Sequence, residues 1–186
     1  MHRRLAILCL VMTLSACGER PAPQPVAAPA APDTRAMGAG PAMASCGIRA
    51  LPEEVLRRVN EVRARGQRCG TRRMAPAPAL RWDPALFSAA SGHSLDMAKR
   101  NYFAHRTPEG VDISQRVSNS RYPWKSVGEN LAAGDTSVAE VVQGWVASPE
   151  HCENLMDPRY VDMGVACVAQ PGTEWGTYWT MVLARR

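Results

Sequence analysis

Three side chains stand out as able to do chemistry together: His105, Glu129 and His151. Two imidazoles and a carboxylate suit a divalent metal such as zinc, held with one position open, which is a catalytic arrangement. The metal ligands would be His105 and His151, with Glu129 completing the set. The three come from separate segments, so there is no H-E-x-x-H spacing to make a zinc reading specific. Without a metal, a carboxylate beside an imidazole still tunes its pKa and fixes its tautomer. Asn130, His93, Ser148 and Glu150 are candidates to support these groups. Ser148 lies near His151 in sequence, but no nucleophile elbow surrounds it, and the Ser-Pro end of a helix accounts for it.

The elements that must position these groups are legible around Gly128–His151. Glu129 and Asn130 are expected in a turn. A helix follows, started by the S-x-x-E capping box of Ser137 and Glu140, with Val138, Val141, Val142 and Trp145 on one buried face. Ser148-Pro149 ends it, because a residue before proline is pushed out of the helical region. The helix then separates two polar pairs, Glu129-Asn130 and Glu150-His151. Upstream, Pro52 to about Arg65 reads as a helix, with Glu53 and Glu54 in its first turn and Gly66 at its end. Asp83-Pro84 opens another, running to about Asn101, which turns His93 inward as a hydrogen-bonded core histidine or a cleft-lining one. A short helix is expected from Val111 to about Asn119. Val161 to Val168 and Trp175 to Leu183 read as strands joined by a Gln170–Thr173 turn into an antiparallel hairpin.

The chain has 186 residues, enough for one domain with its own core once targeting sequence is set aside. Residues 1–16 carry a basic start (His2, Arg3, Arg4) and an apolar run from Leu5 to Leu14, a signal segment too short to span a membrane. Leu14-Ser15-Ala16-Cys17 resembles the lipobox of bacterial lipoproteins, in which Cys17 becomes the lipidated N-terminus. Gly18 in place of Asp implies, by the same resemblance, an outer-membrane anchor with the domain facing the periplasm. Residues 17–45, rich in Ala and Pro, read as a tether. The formal charge of +5 falls to +3 when Arg3 and Arg4 leave, and only Lys99 and Lys125 are lysines, so no nucleic-acid stripe is present. Cys46, Cys69, Cys152 and Cys167 remain, and an even number in an oxidising compartment implies two disulfides. Of the three connectivities, Cys46–Cys69 with Cys152–Cys167 is favoured because each pair brackets one local unit, each worth roughly 3 kcal/mol.

In order, W-D-P-x-L (Trp82–Leu86), A-x-x-x-H-S-x-D-M (Ala89–Met97), Y-F-A-H (Tyr102–His105), G-E-N-L-A (Gly128–Ala132), G-W-x-x-S-P-E-H (Gly144–His151) and M-G-V-A-C (Met163–Cys167) resemble a CAP domain. That is the superfamily of cysteine-rich secretory proteins, antigen 5 and pathogenesis-related 1, here in its bacterial SCP-like form over residues 46–186. The resemblance implies an α+β fold, a three-layer α-β-α sandwich with a central, mainly antiparallel sheet. It also implies a cleft of two histidines and two glutamates. His105, Glu129 and His151 match three of these positions; the fourth is Ser148, with Glu150 close by but out of phase. His93 matches the bacterial form's extra histidine. The reading that follows is a monomeric envelope lipoprotein, anchored through Cys17, whose His/Glu cleft binds a lipid, a peptidoglycan fragment or an envelope protein. The alternative is a metal-dependent hydrolase using His105, Glu129 and His151.

Overall fold

The computed structural model describes residues 44–186. The signal segment, Cys17 and nearly all of the tether lie outside the described residues. Five helices and six strands follow in the order α1 (Leu51–Arg65), β1 (Gln67–Cys69), β2 (Arg72–Met74), β3 (Arg81–Trp82), α2 (Pro84–Arg100), α3 (Ile113–Asn119), β4 (Ser126–Ala133), α4 (Val138–Ala147), α5 (Pro149–Met156), β5 (Asp162–Ala169) and β6 (Thr177–Arg185). β1 and β2 form a small hairpin. The main sheet has the order β3-β5-β6-β4, antiparallel except for the parallel β3–β5 pair, which leaves β4 at an edge.

The sheet is covered on both faces, as the expected sandwich requires. On β6, Trp179, Met181 and Leu183 face a core made with α1, α4 and α5, through Leu51, Val55, Val141, Trp145 and Leu155. Tyr178, Val182 and Ala184 face the opposite layer, α2 and α3, through Leu86, Ala90, Met97 and Val117. The period-2 alternation of the last strand thus feeds two cores at once. Packing of α2 on β5 is close enough to demand Gly164. A Cβ there would lie 2.1 Å from the Phe87 nitrogen and 2.4 Å from the Leu86 carbonyl carbon.

The capping signals are realised at the expected places. Asp83 accepts from the Ala85 and Leu86 amides at 2.8 and 3.2 Å, and Ser137 and Glu140 close their reciprocal box. Two local expectations are corrected. Glu129 and Asn130 lie within β4, not in a turn; the edge strand pairs with β6 along its whole length. Pro149 not only ends α4 but starts α5, since a proline is well suited to the first turn of a helix.

The disulfide pairing is also corrected. Cys46 bonds Cys167, and Cys69 bonds Cys152. The segment before α1 runs along β5, where the Cys46 amide donates to the Cys167 carbonyl at 3.0 Å. Cys69 in the small hairpin meets Cys152 on α5 inside a separate cluster with Ala77 and Met156. Both bonds join segments distant in sequence, with separations of 121 and 83 residues. The local pairing follows from loop length alone, whereas these positions are decided by which cysteines the packed layers bring face to face.

Candidate functional site

The edge strand explains how adjacent residues serve two sides of one cleft. Glu129 stands opposite Val182, on the sheet face covered by α2 and α3, and Asn130 opposite Met181, on the face covered by α1, α4 and α5. Glu129 therefore reaches the loop after α2, and Asn130 reaches α5. Gly128 before them leaves room for Tyr160, whose hydroxyl would lie 2.5 Å from a Cβ at that position.

On the first side, Nδ1–H of His105 donates to Glu129 Oε1 at 2.8 Å, and Arg116 Nη2 donates to Glu129 Oε2 at 2.5 Å. The Glu129 side chain is only 3% exposed and that of Arg116 9%, whereas His105 is 59% exposed. An exposed imidazole is thus held in one pose by a buried ion pair. Arg116 Nη1 also donates to the carbonyls of His105 and Val111, both at 3.1 Å, fixing the loop itself. The hydrogen bond to Glu129 raises the His105 pKa above the ordinary histidine value, outweighing partial desolvation and the Arg116 charge.

His93 supports the same loop. It is buried, its Nε2–H donates to the Ala104 carbonyl at 2.9 Å and it lines a cavity beside α2, so both expected readings apply and the residue also positions His105. Burial lowers its pKa, which leaves the ring neutral with an unprotonated Nδ1.

On the second side, Asn130 Nδ2 donates to the His151 carbonyl at 2.9 Å, and Asn154 Nδ2 donates to Glu129 O and Asn130 Oδ1 at 3.1 and 3.0 Å. These amides tie the first turn of α5 to β4. Desolvation lowers the His151 pKa, and the charge on His105 lowers it further, so the two imidazoles are electrostatic neighbours. Glu150 acts on both histidines in the opposite direction. α5 begins one residue after Ser148 and carries Glu150 in its first turn, where it makes no hydrogen bond to either histidine. Ser148 itself is the joint: its amide donates to Gly144 in α4 and its carbonyl accepts from Cys152 in α5.

Sequence reasoning missed Arg116. Nothing in a seven-residue helix marks a lone arginine for burial, and only the contact with Glu129 reveals it. Its presence bears on the metal. Both Glu129 oxygens are occupied, and among the described residues no three His, Cys, Asp or Glu side chains are placed to hold one ion. Glu129 is thus not free as a third ligand, and an ion here would have only His105 and His151 to hold it.

Sequence and structure comparisons agree with this architecture. The profile of the cysteine-rich secretory protein family, CAP, matches residues 56–183. The uncharacterized protein YkwD of Bacillus subtilis (strain 168) is 33% identical over 101 residues, 54% of this chain and 37% of that protein. The uncharacterized membrane protein YlbC of the same organism is 31% identical over 86 residues, 46% of this chain and 25% of that one. The match thus spans little more than a third of one relative and a quarter of the other. Among solved structures, an extracellular SCP-domain protein from Bacillus anthracis shares 26% identity at a TM-score of 0.60, over 72% of this chain and 40% of that one. An outer surface protein from Borrelia burgdorferi shares the fold at 18% identity and a TM-score of 0.58, over 73% of this chain and 90% of its own. With the family profile covering most of its length and the sandwich in place, this chain belongs to the cysteine-rich secretory protein (CAP) family.

Proposed function

We propose that the protein is a ligand-binding module of the bacterial cell envelope whose cleft recognises a hydrogen-bond-accepting group. One observation carries the reading: an exposed imidazole, His105, locked by the buried Glu129–Arg116 pair. Fixing the side chain before binding removes an entropic cost that a free surface histidine would incur. In its protonated form His105 offers Nε2–H to a carboxylate, phosphate or carbonyl, groups carried by lipid headgroups, peptidoglycan and proteins alike. His151 and Glu150 flank it and select the ligand's orientation. The hydrolase reading gains no support, since the carboxylate it needs is already spent on two partners.

The experiment is cosedimentation of the protein with purified peptidoglycan sacculi and with phospholipid vesicles across neutral pH. Binding to one of them should weaken as pH rises through the His105 titration and be lost in His105→Gln. Binding unchanged in that variant, or absent to both probes and to envelope proteins, would sink the proposal. We place the domain at the outer membrane, facing the periplasm, through lipid on Cys17; the membrane, extracellular and outer-surface descriptions of its relatives support an envelope location. Metabolic labelling with an alkyne fatty acid should mark the protein and leave Cys17→Ala unmarked and released from membranes.

A further inference from the structure

A second cleft, of about 470 Å³, lies between α2, the loop that follows it and α3. It has Arg116 and His93 in common with the surroundings of the His105 site, but His105, Glu129 and His151 do not line it. Three features of its wall are unexplained by the fold. Gly92 sits in the middle of α2, where glycine costs about 1 kcal/mol relative to alanine. No neighbour requires it: a Cβ there would meet nothing within 4 Å. His93 Nδ1 and Arg116 Nε are buried polar atoms with no hydrogen-bond partner. Such atoms in a native fold call for an explanation. All three residues line the same cleft.

The chemistry of the two unpartnered atoms is complementary. His93 Nε2 already donates to Ala104, so Nδ1 is an acceptor awaiting a donor. Arg116 Nε–H is a donor awaiting an acceptor. Arg100 is paired with both Asp96 and Glu109, and Arg116 with Glu129, so neither arginine is left to hold an anion. A ligand that fits is therefore no anion, and it carries groups that both donate and accept. Hydroxyls do both, and Thr107, Asn119 and Ser120 add further such partners around the wall. We propose that this cleft is a second binding site, for a neutral saccharide of one or two rings. The volume lies within the usual range for small-ligand pockets, roughly 300–1,000 Å³. Both atoms are buried in the unliganded cleft, so binding requires rotamer changes of the kind common at interfaces.

The test is an amide chemical-shift titration of the protein with chitobiose and with maltose, each to about 10 mM. At least one sugar should shift Gly92, His93, Thr107 and Asn119. Gly92→Leu projects into the cleft and replaces a poor helix former, so it should weaken binding by about tenfold or more while the Tm holds or rises. No shift with either sugar would overturn the proposal. So would sugar binding undiminished in folded Gly92→Leu, or blocked dialanine binding at these residues in place of both sugars. His105→Gln leaves this wall intact and should leave sugar binding intact, so failure of this inference and failure of the His105 proposal are distinguishable.

Discussion

Replacing Arg116 with methionine tests the centre of the site most directly. The substitution keeps side-chain bulk but strands Glu129, whose side chain is 3% exposed, without its countercharge. Breaking a buried pair from one side typically costs 3–5 kcal/mol, because the remaining charge is left desolvated and unpaired. Arg116 also donates to the His105 and Val111 carbonyls, which points to about 4 kcal/mol here and a fall in Tm of roughly 12 °C for a domain of this size. Urea denaturation of Arg116→Met, Glu129→Gln and the double variant completes a cycle. The double variant should be less destabilised than the sum of the singles by about 2 kcal/mol, as expected for directly contacting groups. Titration of His105 by NMR supplies an independent sign. Its pKa should fall in Glu129→Gln, because that hydrogen bond is the largest influence raising it, and rise in Arg116→Met, because the guanidinium opposes protonation. A cost below about 1 kcal/mol for Arg116→Met, additive singles, or a His105 pKa indifferent to Glu129 would refute the account of His105 held by a buried ion pair.

Other outcomes follow from the same structure. Peptide mapping without reduction should recover Cys46–Cys167 and Cys69–Cys152 and neither locally paired alternative. Removing the second bond in a Cys69→Ala/Cys152→Ala variant should cost about 4 kcal/mol, given a closed loop of that length. Gly164→Ala should lose about 3 kcal/mol or fail to fold, since its Cβ would strike the backbone of α2, which has no flexible end to move aside. A loss under about 0.5 kcal/mol would show that α2 does not lie as close as described. Stability should also depend on pH in both directions. His93 and His151 have lowered pKa values, so their contribution is present above the unfolded value, about 6.5, and lost as pH falls toward the folded values. The His105 value is raised, so its contribution is complete below about 6.5 and lost as pH rises through the folded value. Thermal melts should show the acid limb flattened in His93→Gln and the neutral-to-alkaline limb flattened in His105→Gln.

The order of motifs along the chain was enough to establish the fold class and the family, and local chemistry was enough for most element starts. Asp83, Ser137, Pro52 and Gly66 act on their nearest neighbours, so their signals do not depend on the rest of the fold. The alternation in the last strand likewise reported both faces of the sheet. Three of the cleft residues were readable for the same reason, each lying in a short motif of its own.

What the sequence did not determine depends on distance. A strand whose polar Glu129 and Asn130 sit beside glycine looks like a turn until β6 lies along it. Ser148-Pro149 reads as a stop, and only the docking of the next turn against β4, through Asn130 and Asn154, makes it also a start. That second helix carries His151, whose carbonyl Asn130 holds. Arg116 carries no local mark of burial; its role exists only because Glu129 approaches from 13 residues away. Pairing of the cysteines is of the same kind. Local signals are set by energies within one turn of chain, whereas a buried charge pair, an edge strand and a long-range disulfide are set by which surfaces the packed layers press together.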